Sequence, residues 1–395
     1  MDIGYRFIDL FAGAGGLSVG ISAAGFKGLF ASELVPQYAD TYQRNHPDTK
    51  VAQGDIRALE PEAIRNSLGL QTGDLELLAG GPPCQGFSIN APIRSQHDPR
   101  NHLFLEYLRF VEAFMPKAIL IENVPGIVSF EHGQTLEAIL QALTNYGYST
   151  DVRILGAAYH GVPQMRWRTI IVGLRNAPLP PNHFPRPSCY AKLRTNFTSS
   201  FRGQQIVEHP THTSAKHYTT VYEAIGDLPA LAPGSSGANI MEYDLAPFSD
   251  YQRLLRMTGS KLYNHQAAGL SPINKERLLY IKPGGNWTNI PPHLLPKGMQ
   301  QARRSDHTKR YGRVEPSGLA STILTKCDPH WGAFIHYNQD RPFTVREAAR
   351  LQSFPDHYIF YGSLAEQYAQ VGNAVPPLLA KAIAYTLREI IPLVQ

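Results

Sequence analysis

The chain reads as an α/β protein, a doubly wound and mostly parallel sheet with a second, smaller, loop-rich domain. Three observations lead there. Over residues 1–174 short apolar runs alternate with amphipathic stretches. Over 175–312 the texture changes to Pro, Gly, Tyr, His and Thr with weak periodicity. From 313 to 395 order returns. Strand-helix alternation with strands of this length places a parallel sheet under helices on both faces, and ligands outside the carboxyl ends of its strands.

The apolar runs are RFIDLF (6–11), GLFASE (28–33), LELLAG (75–80), KAILIE (117–122), DVRILG (151–156) and TIIVGL (169–174). Their length and β-branched content suit buried strands. Between them Leu17–Ala24, Leu103–Phe114 and Gln134–Asn145 carry helical spacing. Stretches such as APLPPNHFPRPS (177–188) and LPALAPGSSGAN (228–239) are turn-forming and mark the second domain. The third part, which returns to the first domain, contains GLASTILT (318–325), a helix within TVREAARLQSF (344–354) and a closing helix from about Pro377 to Ile391. No internal repeat interrupts this order.

With 43% hydrophobic and 17% charged residues in 395, the composition excludes a disordered polymer. No apolar run approaches the ~18 residues of a membrane span. The N-terminus MDIGYRFIDLF enters a strand directly, without the pattern of a secretory leader. Cys84, Cys189 and Cys327 lie far apart with no CxxC, which argues for a reducing compartment and against a disulfide framework or zinc site. The spacing of His209 and His212 is loosely ligand-like but has no further ligand nearby, so no metal is expected. The net charge of +5 is uneven. Between Leu174 and Gly312 stand 17 Lys+Arg against 8 Asp+Glu, while the remainder is mildly acidic. A basic middle suits a polyanionic partner, although a solvated basic surface would look the same.

Five constellations carry possible chemistry. The first, Phe11-Ala12-Gly13-Ala14-Gly15-Gly16-Leu17, follows the first strand, where glycines allow a tight turn and close backbone approach to a ligand. Glu33 ends the second strand, at the spacing of an acid that holds ribose hydroxyls, and Asp55 could meet an adenine edge. A dinucleotide oxidoreductase would show a similar turn and acid, except that Ser18 stands where its last glycine belongs. The second is Gly80-Gly81-Pro82-Pro83-Cys84-Gln85-Gly86-Phe87-Ser88. A lone cysteine is more often an inert buried residue, but rigid prolines at a strand end and a polar loop favour a nucleophile. The third is Glu122-Asn123-Val124, where the carboxyl could equally be a cap or a surface charge. In the fourth, Gln164-Met165-Arg166-Trp167-Arg168, alternation aims both arginines to one side of an extended segment, with exposed salt bridges as the plain alternative. The fifth, Gly372-Asn373-Ala374-Val375-Pro376-Pro377, could be an ordinary turn.

In this order FxGxGG, GPPCQGFS, ENV, QxRxR and GNAVPP resemble the cytosine-5 DNA methyltransferases, including the bacterial restriction-modification enzymes. GVPQ (161–164), the stretch from Asp98 through Arg100 to Phe104 and TVREAARLQSFPD (344–356) match as well. The resemblance covers about the first 174 residues and the last 80 or so. It implies a Rossmann-like S-adenosylmethionine-dependent methyltransferase fold and a monomer in the cytoplasm of a bacterium, on the nucleoid. Double-stranded DNA is the implied substrate, with a cognate restriction endonuclease as a functional partner. The resemblance makes 175–312 the target-recognition domain. It assigns the cofactor to Phe11, Gly13, Gly15, Gly16, Leu17, Glu33, Asp55, Ile56, Pro82, Asn373 and Val375.

By the same resemblance Cys84 is the nucleophile that attacks carbon 6 of a flipped-out cytosine. Glu122 meets the ring nitrogen and exocyclic amine, which calls for a carboxyl kept protonated by burial. Arg168 faces the base carbonyl, and Arg166 supports the loop or the phosphate backbone. Residues 85–104 resemble the loop that closes over DNA, with Gln85, Ser88, Asn90 and Arg100 as contacts. Arg303, Arg304, Lys309 and Arg310, in the densest basic cluster, are expected on phosphates. The rival substrate is tRNA, which one branch of the family methylates. The ~139 residues between the motif blocks, the size of a domain, favour DNA. A non-catalytic DNA-binding regulator is the other alternative, opposed by intact Cys84, Glu122 and Arg168.

Overall fold

The computed structural model describes residues 4–82, 103–210, 216–232, 234–256, 259 and 261–394. Cys84, Gln85, Ser88, Asn90 and Arg100 lie outside the described residues. The chain forms two compact units. One comprises Met1–His160, Trp167–Lys216 and Val375–Gln395; the other comprises Gly161–Arg166 and His217–Ala374.

The first unit is built on seven strands: β1 (Arg6–Leu10), β2 (Lys27–Glu33), β3 (Lys50–Gln53), β4 (Leu77–Gly80), β5 (Ala118–Asn123), β6 (Tyr148–Gly156) and β7 (Trp167–Arg175). Their order is β3-β2-β1-β4-β5-β7-β6. The first five strands are mutually parallel, whereas β7 runs antiparallel to both β5 and β6. The core residues of β1, β4, β5 and β7 are almost wholly buried, which is why they read as continuous apolar runs rather than alternating ones. β3, with the sequence KVAQ, is short and half-buried, so no apolar run marks it. Helices α1 (Gly16–Ala23), α2 (Pro36–Asn45), α3 (Pro61–Ser67), α4 (Leu103–Phe114) and α5 (Gln134–Asn145) fill the crossovers. From β1 the chain steps outward to β2 and β3, then crosses back to β4 on the other side of β1. That reversal opens a crevice at the carboxyl ends of β1 and β4.

Two packing details fix the crevice. The closing helix Pro377–Ile390 lies against α1. At the contact, a side chain on Gly20 would come within 2.4 Å of Ala380 Cβ and the Pro377 carbonyl. Gly20 is thus the close-approach glycine of this turn-helix motif, and position 18 is free to be a serine.

The change of texture at Leu174 is not where the compact units divide. Residues 206–208 lie along β6: Ile154 N–H donates to the Ile206 carbonyl at 2.8 Å, and Glu208 N–H donates to the Ile154 carbonyl at 3.1 Å. His183 Nε2 pairs with Asp151 at 2.7 Å, and Arg202 Nε donates to Glu137 at 2.8 Å. Nor does the second unit end at Gly312. Leu278, Trp287 and Met299 share one core with Tyr311 and Ile335, on both sides of that position. The buried Arg350 guanidinium also bridges Asp227 and Asp356. Within TVREAARLQSF the helix is Val345–Leu351, started by a reciprocal cap in which Thr344 Oγ1 accepts from Glu347 N–H and Thr344 N–H donates to the Glu347 carboxylate.

Candidate active site

After β1 the chain turns through three left-handed residues, Phe11 at φ 58°, Gly13 at φ 57° and Gly15 at φ 85°. Glycine adopts this geometry freely, whereas a phenylalanine there is held by its surroundings. Phe11 N–H donates to Ser32 Oγ at 3.4 Å and Ala12 N–H to the Ser32 carbonyl at 2.9 Å. A Cβ added to Gly13 would meet nothing within 4 Å, so the turn opens onto free space. Gly15 starts α1 without a side-chain cap, which leaves first-turn N–H groups available to a ligand. Backbone strain beside open space is the mark of a ligand site.

Glu33 ties the neighbouring strand ends together. Its carboxylate accepts from Gly13 N–H and Val35 N–H, each at 2.8 Å, and its carbonyl accepts from Gly54 N–H at 2.9 Å. Burial pushes its pKa up, and the backbone N–H donors partly offset that. Asp55 caps the turn Ile56–Ala58 by accepting from Arg57 N–H at 3.0 Å. The Arg57 side chain and then its N–H hold that carboxyl down at about 2, so it is ionised at neutral pH. Ile56 is buried beneath it. Gly13, Glu33, Asp55 and Pro82 thus lie at the carboxyl ends of four adjacent parallel strands. Open space, first-turn N–H groups and carboxylate acceptors fit a ligand with a ribose, an adenine and a positive charge.

Asp9 is a site residue that motif reading passes over; its signal is a charged residue inside a strand otherwise apolar at its centre. It is fully buried, and Ser18 Oγ donates to its Oδ2 at 2.6 Å while lying 2.7 Å from Tyr42 Oη. This bond accounts for a serine at position 18. Oδ1 has no partner among the described residues. Burial raises the Asp9 pKa to about 7, opposed by the Ser18 bond and reinforced by Glu33 and Glu122. The unfolded chain therefore releases this proton near the ordinary aspartate value, whereas the folded chain keeps it to about pH 7. Between those values the folded state binds more protons, so stability falls as pH rises, by up to about 1.4 kcal/mol per pH unit. Asp9→Asn should flatten the decline of the urea midpoint between about pH 4 and pH 7. Parallel declines in variant and parent would remove Asp9 from the account.

The other half of the site surrounds the end of β5. Because β7 is antiparallel, its first residues lie at the carboxyl ends of its neighbours, with Asn123 opposite Thr169 and Glu122 opposite Ile170. Arg168 is thereby brought to Glu122, with Nε 2.5 Å from Oε1 and side chains only 12% and 14% exposed. The two groups form a largely buried ion pair. Burial lowers the pKa of the Arg168 guanidinium, and Glu122 opposes that. A Cβ on Gly81 would lie 3.2 Å from Glu122 Oε2, so a glycine keeps this approach open. Asn123 Nδ2 donates to the Pro82 carbonyl at 3.2 Å, while its Oδ1 accepts from Val124 N–H at 2.9 Å. Asn123 therefore positions the backbone two residues before Cys84. Its amide is a role that the Glu122-Asn123-Val124 motif carries without announcing it.

Arg166 and Arg168 have different partners. Arg166 is 1% exposed, with Nη1 donating to the Ile323 carbonyl at 3.1 Å and Nη2 to the Gly372 and Ala374 carbonyls at 2.9 Å each. An arginine spent on three carbonyls is a clamp on the Gly372-Asn373-Ala374 turn and not a phosphate ligand. Gly372 itself must be glycine, since a Cβ would sit 2.3 Å from the Leu324 backbone. Gln164 braces the same region through the Leu351 carbonyl at 3.0 Å and Ile323 N–H at 2.8 Å. Asn373 is exposed, and Val375 is buried at the entry to the closing helix. Arg303, Arg304 and Lys309 are exposed, and Arg310 is half-buried with its guanidinium 5.3 Å from the Trp331 ring. Among the described residues no helix is long and apolar enough to cross a membrane.

Residues 5–389 match the model of the C-5 cytosine-specific DNA methylases. The chain is 34% identical to the Type II methyltransferase M.AgeI of Thalassovita gelatinovora over 97% of its length and 99% of the relative's. It is 36% identical to the Type II methyltransferase M.DdeI of Desulfomicrobium norvegicum, covering 96% and 87%. A crystal structure described as a DNA modification methyltransferase encoded within an E. coli prophage superposes with a TM-score of 0.73 at 23% identity, over 98% of this chain and 99% of that one. That likeness shows the shared fold.

Proposed function

Because the chain belongs to the C-5 cytosine-specific DNA methylase family, we propose that it methylates carbon 5 of a flipped-out cytosine in a specific duplex sequence, through a covalent adduct with Cys84. It is a DNA (cytosine-5)-methyltransferase with bacterial restriction-modification relatives, and its biological role on this reading is to protect DNA from a cognate endonuclease. The observation that carries the mechanism is the Glu122–Arg168 pair at the strand ends, with Asn123 gripping the Pro82 carbonyl next to the cysteine segment.

Carbon 5 of cytosine is a weak nucleophile. Addition of the Cys84 thiolate to carbon 6 breaks the aromatic system and makes carbon 5 enamine-like. A protonated Glu122 would donate its proton to the ring nitrogen, neutralising the charge that the addition pushes there and leaving the carboxylate beside Arg168, which meets the base carbonyl. S-adenosylmethionine, held by the glycine turn with Glu33 and Asp55, supplies the electrophilic methyl group. Loss of the proton from carbon 5 then restores the ring and expels the cysteine thiolate. A stacked base exposes neither carbon, so the nucleotide must leave the helix at a cost of roughly a few kcal/mol.

The test is transfer of labelled methyl from S-adenosylmethionine to duplex DNA, with tRNA in parallel and bisulfite sequencing to locate the mark. Methylation of tRNA in place of DNA would overturn the substrate. For the cofactor residues, Glu33→Ala or Asp55→Ala should weaken S-adenosylmethionine binding roughly ten- to hundredfold in calorimetry, the loss of one charge-assisted hydrogen bond or more. DNA binding without cofactor should be unchanged. Equal cofactor affinities in variant and parent would end this assignment.

A further inference from the structure

We propose that Trp331 packs against duplex DNA and extends the basic stretch 303–310 into a contact surface, an inference that rests on the DNA-acting reading above. Trp331 is 55% exposed, whereas Trp167 and Trp287 are buried at 9% and 3%. A large apolar ring left in water beside cations is what single aromatic contacts to nucleic acid look like.

The ring is presented rigidly. Asp328 closes its loop, accepting from His330 N–H at 2.8 Å on its carboxylate and from Trp331 N–H at 3.0 Å on its carbonyl. Tyr311 N–H donates to the Pro329 carbonyl at 2.6 Å, and Gly312 N–H donates to the Gly332 carbonyl at 3.3 Å. The loop is thus stitched to the end of the basic stretch. Glycine is required on both sides of that seam: a Cβ on Gly312 would lie 2.5 Å from Ala333 Cβ, and one on Gly332 would lie 2.5 Å from the Phe334 ring. The His330 ring stands edge-on between Tyr311 and Trp331, with centroids 5.6 and 5.0 Å away. Burial lowers the His330 pKa, helped by Arg310, so it wedges the indole as a neutral ring. The Arg310 guanidinium lies over the indole, 5.3 Å from its centre.

The stretch itself is anchored from below: Trp287 N–H donates to the Arg310 carbonyl and its indole N–H to the Asp306 carbonyl, both at 3.0 Å. Arg303, Arg304 and Lys309 stay exposed above that anchor. Cations and an aromatic ring on one fixed base match phosphate and base or sugar together, and positive charge selects a polyanion over an apolar protein partner. The surface therefore reaches beyond Gly312, into the segment that sequence texture assigns to the catalytic domain.

The experiment measures DNA binding by the full chain without S-adenosylmethionine, so it is independent of methyl transfer. Acrylamide should quench the tryptophan emission chiefly through Trp331, and a cognate-length duplex should protect it. Trp331→Phe should abolish that protected signal while retaining most of the affinity. Trp331→Ala should weaken binding by roughly a few-fold, and by an equal factor at every salt concentration, since the interaction is not ionic. Replacing Arg303, Arg304, Lys309 and Arg310 with Gln should instead reduce the salt slope, by about 0.9 for each phosphate no longer neutralised. Unchanged quenching on DNA addition, or parent-like affinity of a folded Trp331→Ala, would overturn the proposal. Normal protection in a chain that transfers no methyl group would leave it standing and sink the catalytic reading instead.

Discussion

Replacing Cys84 with serine is expected to reduce methyl transfer by on the order of a thousandfold or more, while cofactor binding and folding persist. A cysteine near neutral pH holds a few per cent of its thiol as the reactive anion, and a serine hydroxyl holds almost none. The remaining cysteines cannot substitute. Cys327 is 3% exposed and burial drives its thiol pKa upward, so it stays protonated. Cys189 lies in a two-residue strand, Cys189–Tyr190, outside the glycine-proline segment that holds Cys84. A duplex with 5-fluorocytosine at the target gives the sharpest reading. After methyl transfer fluorine cannot leave as the proton does, so the chain should remain attached to DNA through denaturing electrophoresis. The adduct should depend on S-adenosylmethionine and vanish in Cys84→Ser. An adduct on another residue, or full methylation by the serine variant, would refute the covalent mechanism.

The sheet is legible in the sequence because its strands are buried on both faces, and burial leaves a pattern in composition alone. Where burial is partial the pattern fails. β3 is four residues of mixed polarity and exists because β2 offers it an edge, a tertiary cause no local window contains. The path of residues 175–216 is hidden for the same reason. Proline-rich texture says that a segment is irregular, whereas its position depends on bonds such as Ile154 with Ile206, far apart in sequence. The site divides along this line too. Glycine turns and strand-end acids follow from local geometry, and local patterns reveal them. Alternation in the sequence aims Arg166 to the same side as Arg168, and the resemblance gives it the loop or the phosphate backbone. Its actual partners are three carbonyls more than 150 positions away, and only the folded chain brings them together. Asp9 and Asn123 escape motif reading because each acts through a side-chain hydrogen bond to a neighbouring segment, to Ser18 in α1 and to the Pro82 carbonyl after β4.

Glu122→Gln should lower the rate of methyl transfer by roughly a hundred- to ten-thousandfold, the range for a positioned acid-base group. Glutamine preserves the shape but can neither share a proton with the ring nor balance the Arg168 charge. The second loss has a consequence of its own. Arg168 is 12% exposed and already disfavoured as a cation by burial, so an uncompensated guanidinium should destabilise the fold by about 3 kcal/mol. Urea unfolding of Glu122→Gln should register this. The double variant Glu122→Gln, Arg168→Gln removes both charges and should recover most of that stability, while its activity stays at or below that of the weaker single variant. Stability and catalysis then respond differently to one pair: the first asks only that charges balance, the second that these two groups be present. If activity returned together with stability in the double variant, the pair would be a structural ion pair at a strand end, and the proton on the cytosine ring would have to be managed by another group.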